Sequence, residues 1–285
     1  MALLTLIWGT TWAAVRLSLT GFPPLAGVAV RFLLAAAVLA VAARVVGQPL
    51  GGDRRLRWLW LAQATLTFGL SYSIVYWAEQ WVPSGLVSVL FATFPFFVAL
   101  FARWLLPAER LGRLGIAGGV LGFLGVVTIF SEDMSRLGGS QVRWAAVVML
   151  LSPAAAGLAN VAVKRWGSGL GPFALTAVPM AMTGAGLAAL SAVAERGRPV
   201  VLGAVPVAAV VYLAVVGSAL TFTLYFWLLE HIPATQLSMI AYGTPVIAVV
   251  IGVLAFGEPL TARIAAGAAL VVVGVVLVLR RPRPA

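Results

Sequence analysis

Cysteine is absent from the 285 residues, and histidine and asparagine occur once each, as His231 and Asn160. The first absence excludes disulfides, thiolate nucleophiles and thiolate metal ligands, and one histidine cannot build a multi-histidine metal site. Charge is scarce too: Asp, Glu, Lys and Arg make up 9% of the chain, against roughly 25% in soluble domains. A chain so poor in charge cannot cover a globular surface in water, so the solvent it faces is read as lipid. No glycine-rich phosphate loop follows a strand pattern and no P-loop motif occurs. With no catalytic constellation, no metal-ligand set and no cofactor motif, the expectation is a protein that is not an enzyme and needs no cofactor.

The eight acidic residues, Asp53, Glu79, Glu109, Glu132, Asp133, Glu195, Glu230 and Glu258, all lie at or near the ends of apolar runs. None is central, where an ionised side chain costs about 2.5–3.5 kcal/mol on insertion scales and usually marks function. A carrier that exchanges organic cations for protons would keep such a carboxylate. Its absence points to a neutral, zwitterionic or anionic solute.

What the chain does contain is apolar: 62% hydrophobic residues and a mean hydropathy of +1.06. Ten apolar runs can be marked, near 2–20, 25–46, 58–79, 84–106, 112–130, 143–164, 171–193, 206–230, 234–256 and 261–279. Each approaches the ~20 residues needed to cross ~30 Å of hydrocarbon. The predicted fold class is an all-α polytopic membrane protein with ten transmembrane helices. The first run lacks a basic leader and a small-residue cleavage site, so it is expected to stay as the first helix rather than act as a signal peptide.

The net charge of +11 would suggest nucleic acid in a soluble protein. Here the basic residues gather at run ends, so no nucleic-acid partner is expected. With the N-terminus in the cytoplasm, one side collects Arg44, Arg54, Arg55, Arg57, Arg103, Arg110, Arg113, Lys164, Arg165, Arg280, Arg281 and Arg283. The other side keeps Arg136, Arg143, Arg196, Arg198 and Arg263. The excess predicts both termini on the cytoplasmic side.

The chain also repeats itself. At an offset of 150, Trp77, Pro83, Ser88 and Pro95 recur as Trp227, Pro233, Ser238 and Pro245. After a one-residue slip, Glu109, Leu111, Gly118, Leu121 and Gly125 recur as Glu258, Leu260, Gly267, Leu270 and Gly274. Apolar composition alone does not order prolines and glutamates twice, so this is an internal duplication. The expected division is 1–130 as one five-helix repeat, 131–142 as connector, and 143–285 as a second repeat with a short basic tail. Five is odd, so the second copy enters from the opposite face. Inverted repeats of this kind characterise secondary transporters with a site at the midplane.

Candidate site residues follow from that architecture. Trp8, Thr11, Trp12 and Val15 share one helical face at i, i+3, i+4 and i+7. Ser71, Tyr72 and Tyr76 recur as Thr221, Phe222 and Phe226, Phe94 precedes Pro95, Tyr242 and Thr244 precede Pro245, and Asn160 places an amide within the sixth run. Their aromatic faces and hydroxyls suit an aromatic-walled cavity. Pro95 and Pro245 each free a carbonyl four residues back, at Phe91 and Ala241, and are expected to kink or hinge their helices. Arg31 is open to three readings: a partner for a solute carboxylate, a snorkelling side chain, or a packing contact.

Trp8-Gly9, Arg31-Phe32, the paired Pro95 and Pro245, the corners Ala108-Glu109 and Gly257-Glu258-Pro259-Leu260, and the endings Gly125-Val126-Val127 and Gly274-Val275-Val276 together carry a resemblance. The chain resembles the drug/metabolite transporter superfamily over essentially its whole length, in particular the ten-helix EamA-type members and their YddG-type amino-acid exporters. The resemblance implies an inner-membrane secondary transporter exporting small metabolites such as amino acids, including aromatic ones. It also implies a central cavity formed by the first, third, fourth, sixth, eighth and ninth spans. The expected partners are a small-molecule solute and the bilayer, with a monomer sufficient. Alternatives are a drug or nucleotide-sugar transporter of the same superfamily, a membrane-embedded enzyme, or a scaffold. Unlike the four-helix multidrug relatives, this chain has no glutamate in its first span.

Overall fold

The computed structural model describes residues 1–106, 113–130, 139–238 and 240–279. Glu109, Glu132 and Asp133, and with them most of the expected connector, lie outside the described residues. Among the described residues the secondary structure is helical throughout, and the helices fall on the apolar runs to within about a turn.

In chain order they are α1 (Ala2–Ser18), α2 (Pro24–Val45), α3 (54–78), α4 (Ser84–Leu105) and α5 (Arg113–Phe130). Then follow α6 (Ser140–Trp166), α7 (Ala174–Ala194), α8 (Ala204–His231), α9 (Ile240–Phe256) and α10 (Ala262–Leu279). A single turn, Ala234–Leu237, leads into α9. Five of these, α2, α4, α6, α7 and α8, are long and apolar enough to cross a membrane. Their outer faces are greasy: Val45 and Leu254 are each 81% exposed, and Trp58, Trp104 and Trp144 also project outward. In water such a surface would aggregate; against lipid it is at equilibrium.

The helix starts have visible causes. Asp53 accepts a bond from the Leu56 amide and caps α3, while Pro23, Pro83 and Pro233 precede helices, where a missing N–H is harmless. Two starts are capped from a distance. Glu195 at the end of α7 accepts from the amides of Leu25 and Ala26 on α2, both at 2.9 Å. Glu258 accepts from Ser84 N and Oγ at 2.8 Å and Gly85 N at 2.9 Å on α4, and pairs with Arg16 at 3.2 Å. A carboxylate at a helix N-terminus meets both orphan donors and the positive end of the dipole.

Glycine sets how closely the helices approach. A Cβ on Gly274 would meet the Gly118 carbonyl at 2.5 Å, and one on Gly125 the Gly267 carbonyl at 2.7 Å, so α5 and α10 pack backbone to backbone. Gly9 admits Ile247 in the α1–α9 contact, and Gly157 admits Phe97 in the α6–α4 contact. Further pairs are α2 with α7, α4 with α9, α1 with α8, α6 with α3, α2 with α8, and α7 with α3.

Two helices widen midway. Residues Gln63–Ser71 of α3 and Val215–Leu220 of α8 are π-helical. In the first, a Cβ on Gly69 would meet the Ala64 carbonyl five residues back; in the second, Thr221 Oγ1 donates to the carbonyl of Val216, also five back. Such wide turns often accompany functional sites.

The prolines depart from the expected matched kinks. Helix α4 is interrupted before Pro95, at Ala92–Thr93, where Ala92 N bonds both Ser88 and Val89 carbonyls and Thr93 N bonds Leu90 at 3.2 Å. Pro95 thus sits in the first turn of the following stretch, where no donor is required. Pro245 lies inside α9, which is helical on both sides of it.

Candidate functional site

A cavity of about 90 Å³ opens where α1, α3, α4, α6, α8 and α9 meet, with Arg31 of α2 reaching its wall, room for several waters or a small solute. One wall is aromatic. Trp8 lies 5.4 Å from Phe222 and 5.2 Å from Tyr225 between ring centroids, Tyr72 lies 6.2 Å from Phe222, and Trp12 faces Phe91 at 5.5 Å. Such tilted and edge-on pairs favour a rigid wall over mobile side chains.

Trp8, Thr11, Trp12, Ser71, Tyr72, Phe94, Asn160 and Thr244 all line this cavity. Two expected residues do not. Tyr76 is fully buried, its ring packed beside Gly27 of α2 rather than facing the cavity. Thr221 turns its hydroxyl onto its own helix at the wide turn. The side chain of Tyr242 lies outside the described residues.

The hydroxyls are less available than their chemistry suggests. Thr11 donates to the Trp8 carbonyl at 2.8 Å and Thr244 to Ala241 at 3.2 Å, while Ser71 and Ser152 share a bond at 2.8 Å. Each can still accept. Asn160 donates Nδ2 to Tyr225 Oη at 2.6 Å, which ties α6 to α8.

Arg31, Gln63, Thr67, Phe222, Tyr225 and Ser238 also line the cavity. Gln63 could have been found as an amide inside an apolar run. Arg31 does not snorkel: it is 1% exposed, donates Nε to Ser218 Oγ at 2.8 Å and Nη2 to the Gly217 carbonyl at 3.4 Å, and lies 4.6 Å over the Tyr72 ring. Among the described residues no carboxylate lines the cavity. Glu79, at the end of α3, is buried with neither oxygen hydrogen-bonded, and Arg16, Arg31 and Glu258 are within electrostatic reach. Lys164 is spent on helix ends, donating to the Leu229 and Ile232 carbonyls of α8 at 2.7 and 2.9 Å. Among the described residues no group of three His, Cys, Asp or Glu side chains could hold a metal.

A polytopic helical bundle enclosing a cavity without catalytic groups is the build of a membrane carrier. The profile of the EamA-like transporter family matches residues 1–131 and 143–280, and the chain belongs to that family, within the drug/metabolite transporter superfamily. It is 29% identical to the uncharacterized transporter YoaV of Bacillus subtilis (strain 168), over 95% of this chain and 92% of that one. With the uncharacterized inner membrane transporter YedA of Escherichia coli (strain K12) it shares 30% identity, over 90% of this chain and 82% of that one. A protein of known crystal structure has the same fold, with a TM-score of 0.73 at 21% identity, covering 96% of this chain and 94% of its own. The chain is a membrane transporter of small molecules and not an enzyme.

Proposed function

We propose that the chain is a secondary transporter that exports small metabolites, amino acids among them and aromatic ones in particular, across a bacterial inner membrane by alternating access. Ten helices cross the bilayer as two inverted five-helix repeats, both termini lie in the cytoplasm, and one copy suffices. The observation that carries this reading is the aromatic-walled cavity, lined by α1, α2, α3 and α4 of one repeat and α6, α8 and α9 of the other.

The packing supports the inverted repeat. Exchanging α1 with α6, α2 with α7, α3 with α8, α4 with α9 and α5 with α10 leaves the set of contacts named above unchanged. The two wide turns exchange under the same operation, and the family profile matches each repeat separately. A cavity on a pseudo-twofold axis can open to either side by rocking one repeat against the other. The break before Pro95 is where that rod can bend.

The absence of any lining carboxylate among the described residues favours amino acids over lipophilic cations. Counterflow of labelled amino acids into liposomes holding the purified protein tests the reading. Exchange of at least one aromatic amino acid is expected. Movement of only a nucleotide sugar or a lipophilic cation would overturn the substrate assignment, and inertness toward every solute would overturn transport by this cavity.

A further inference from the structure

We propose that the cavity takes its solute by a carboxylate head held on Arg31, and that an amino group on the solute is dispensable. The inference rests on the transport reading, because it uses the same cavity, but it makes a claim about the ligand that transport alone does not.

The first observation is the balance of unpaired polar atoms. Among cavity-lining residues, Trp8 Nε1, Trp12 Nε1, Arg31 Nη1 and Gln63 Nε2 are buried donors with no partner, against a single buried acceptor, Asn160 Oδ1. Turning over the Asn160 amide would exchange its free acceptor for a donor, and turning over Gln63 would do the reverse, so the donors fixed whatever the amide orientation are Trp8 Nε1, Trp12 Nε1 and Arg31 Nη1. Buried donors left unpaired are costly, and the ligand that satisfies this set is rich in acceptors. An ammonium group, which only donates, finds aromatic faces here and, besides Asn160 Oδ1, hydroxyl oxygens of Thr11, Ser71 and Thr244 that are already hydrogen-bonded.

The second observation is charge. Among the described residues Arg31 is the one lining residue with a formal charge, and no carboxylate among them forms an ion pair with it. A guanidinium taken into a low-dielectric interior is costly unless compensated. Two of its nitrogens hold the wide turn of α8, and Nη1 is left over. Glu79 acts on Arg31 only at a distance; a carboxylate on Nη1 would supply a directly paired counter-charge, and guanidinium forks suit carboxylates geometrically.

The third observation is what lies beside that head site. From Arg31 the rings of Tyr72, Phe222 and Trp8 follow one another with centroid separations of 6.2 and 5.4 Å. A solute whose carboxylate meets Arg31 therefore lays its body against aromatic faces, so the ligand class is an organic monocarboxylate with an apolar or aromatic body.

The test compares matched ligands on purified wild-type protein, following quenching of tryptophan fluorescence on titration. The probes are L-phenylalanine and its amide, and 3-phenylpropionate and phenethylamine. Each acid is expected to bind at least tenfold more tightly than its carboxylate-free partner, with the two acids within about threefold of each other. Arg31→Gln should erase the acid preference. Arg31→Lys, which keeps the charge and loses the fork, should keep the preference and weaken both acids several-fold. Equal binding of amide and acid to the wild-type protein overturns the proposal, as does saturable binding of neither acid. The wild-type comparison needs no variant to fold. Failure here leaves intact any counterflow seen in liposomes, whereas failure of counterflow across the whole solute panel removes the transport reading itself.

Discussion

Two junctions in the bundle share a backbone frame and differ in what joins them. Helix α2 meets the wide turn of α8, and α7 meets the wide turn of α3. The second junction is neutral: Thr183 on α7 donates its hydroxyl to the Ala64 carbonyl at 2.8 Å. The first is charged, with Arg31 bonded to Ser218 and Gly217. Helix α7 carries no ionisable residue anywhere between Ala174 and Ala194. A wide turn in this fold can thus be held by one hydroxyl. A guanidinium is not needed for such a join, and the one at the α2–α8 junction both holds the wide turn and faces the cavity.

The severest way to break the comparison is to pull both junctions apart at once. A Cβ on Gly184 of α7 would meet Leu33 Cγ at 2.7 Å and Leu33 N at 3.0 Å on α2. Gly184→Leu should therefore force the α2–α7 seam open and cost about 3 kcal/mol, the upper end for overpacking. A large fall in melting temperature of the detergent-solubilised protein would register it. Unchanged melting would mean that the seam is not what sets the two junctions.

Next in size is Ser218→Ala, which takes the acceptor from a buried charged donor and should cost about 1.5–2 kcal/mol. Thr183→Val removes a neutral bond at the other junction and should cost about 0.6 kcal/mol, the usual value between membrane helices. Melting curves of the two variants side by side decide whether the charged junction is the stiffer one. Equal losses would remove the distinction.

How much of this was legible in the sequence differs between frame and site. The helices were, because each apolar run is long and its flanks are marked by Pro23, Pro83 and Pro233. The wide turns were not: Gln63–Ser71 and Val215–Leu220 have ordinary helical compositions, and an extra residue per turn is decided by how neighbours pack. The break in α4 was displaced for a related reason, since relieving Pro95 requires the chain to turn before it. Within the site, Trp8, Thr11 and Trp12 were readable from helical spacing, which fixes a face. Tyr76 looked equivalent to Tyr72 because spacing does not show what each ring packs against. Arg31 could not be settled from sequence, since snorkelling and burial put the same residue type at the same place.

The smallest expected effect is also the most selective test of the charged junction. Tyr72 offers Arg31 the face of its ring at 4.6 Å, and that face survives in phenylalanine. If the ring quadrupole is what steadies the guanidinium, Tyr72→Phe should leave the melting temperature within a degree or so of wild type. Tyr72→Leu keeps apolar bulk without the quadrupole and should cost about 1–2 kcal/mol, as expected for a desolvated cation–π contact. The two variants sharpen the comparison because Thr183, being uncharged, gains nothing from a neighbouring ring. Should phenylalanine prove as damaging as leucine, the hydroxyl rather than the ring would be holding Arg31. The charged junction would then be a second hydrogen-bonded clasp, differing from its partner only in donor.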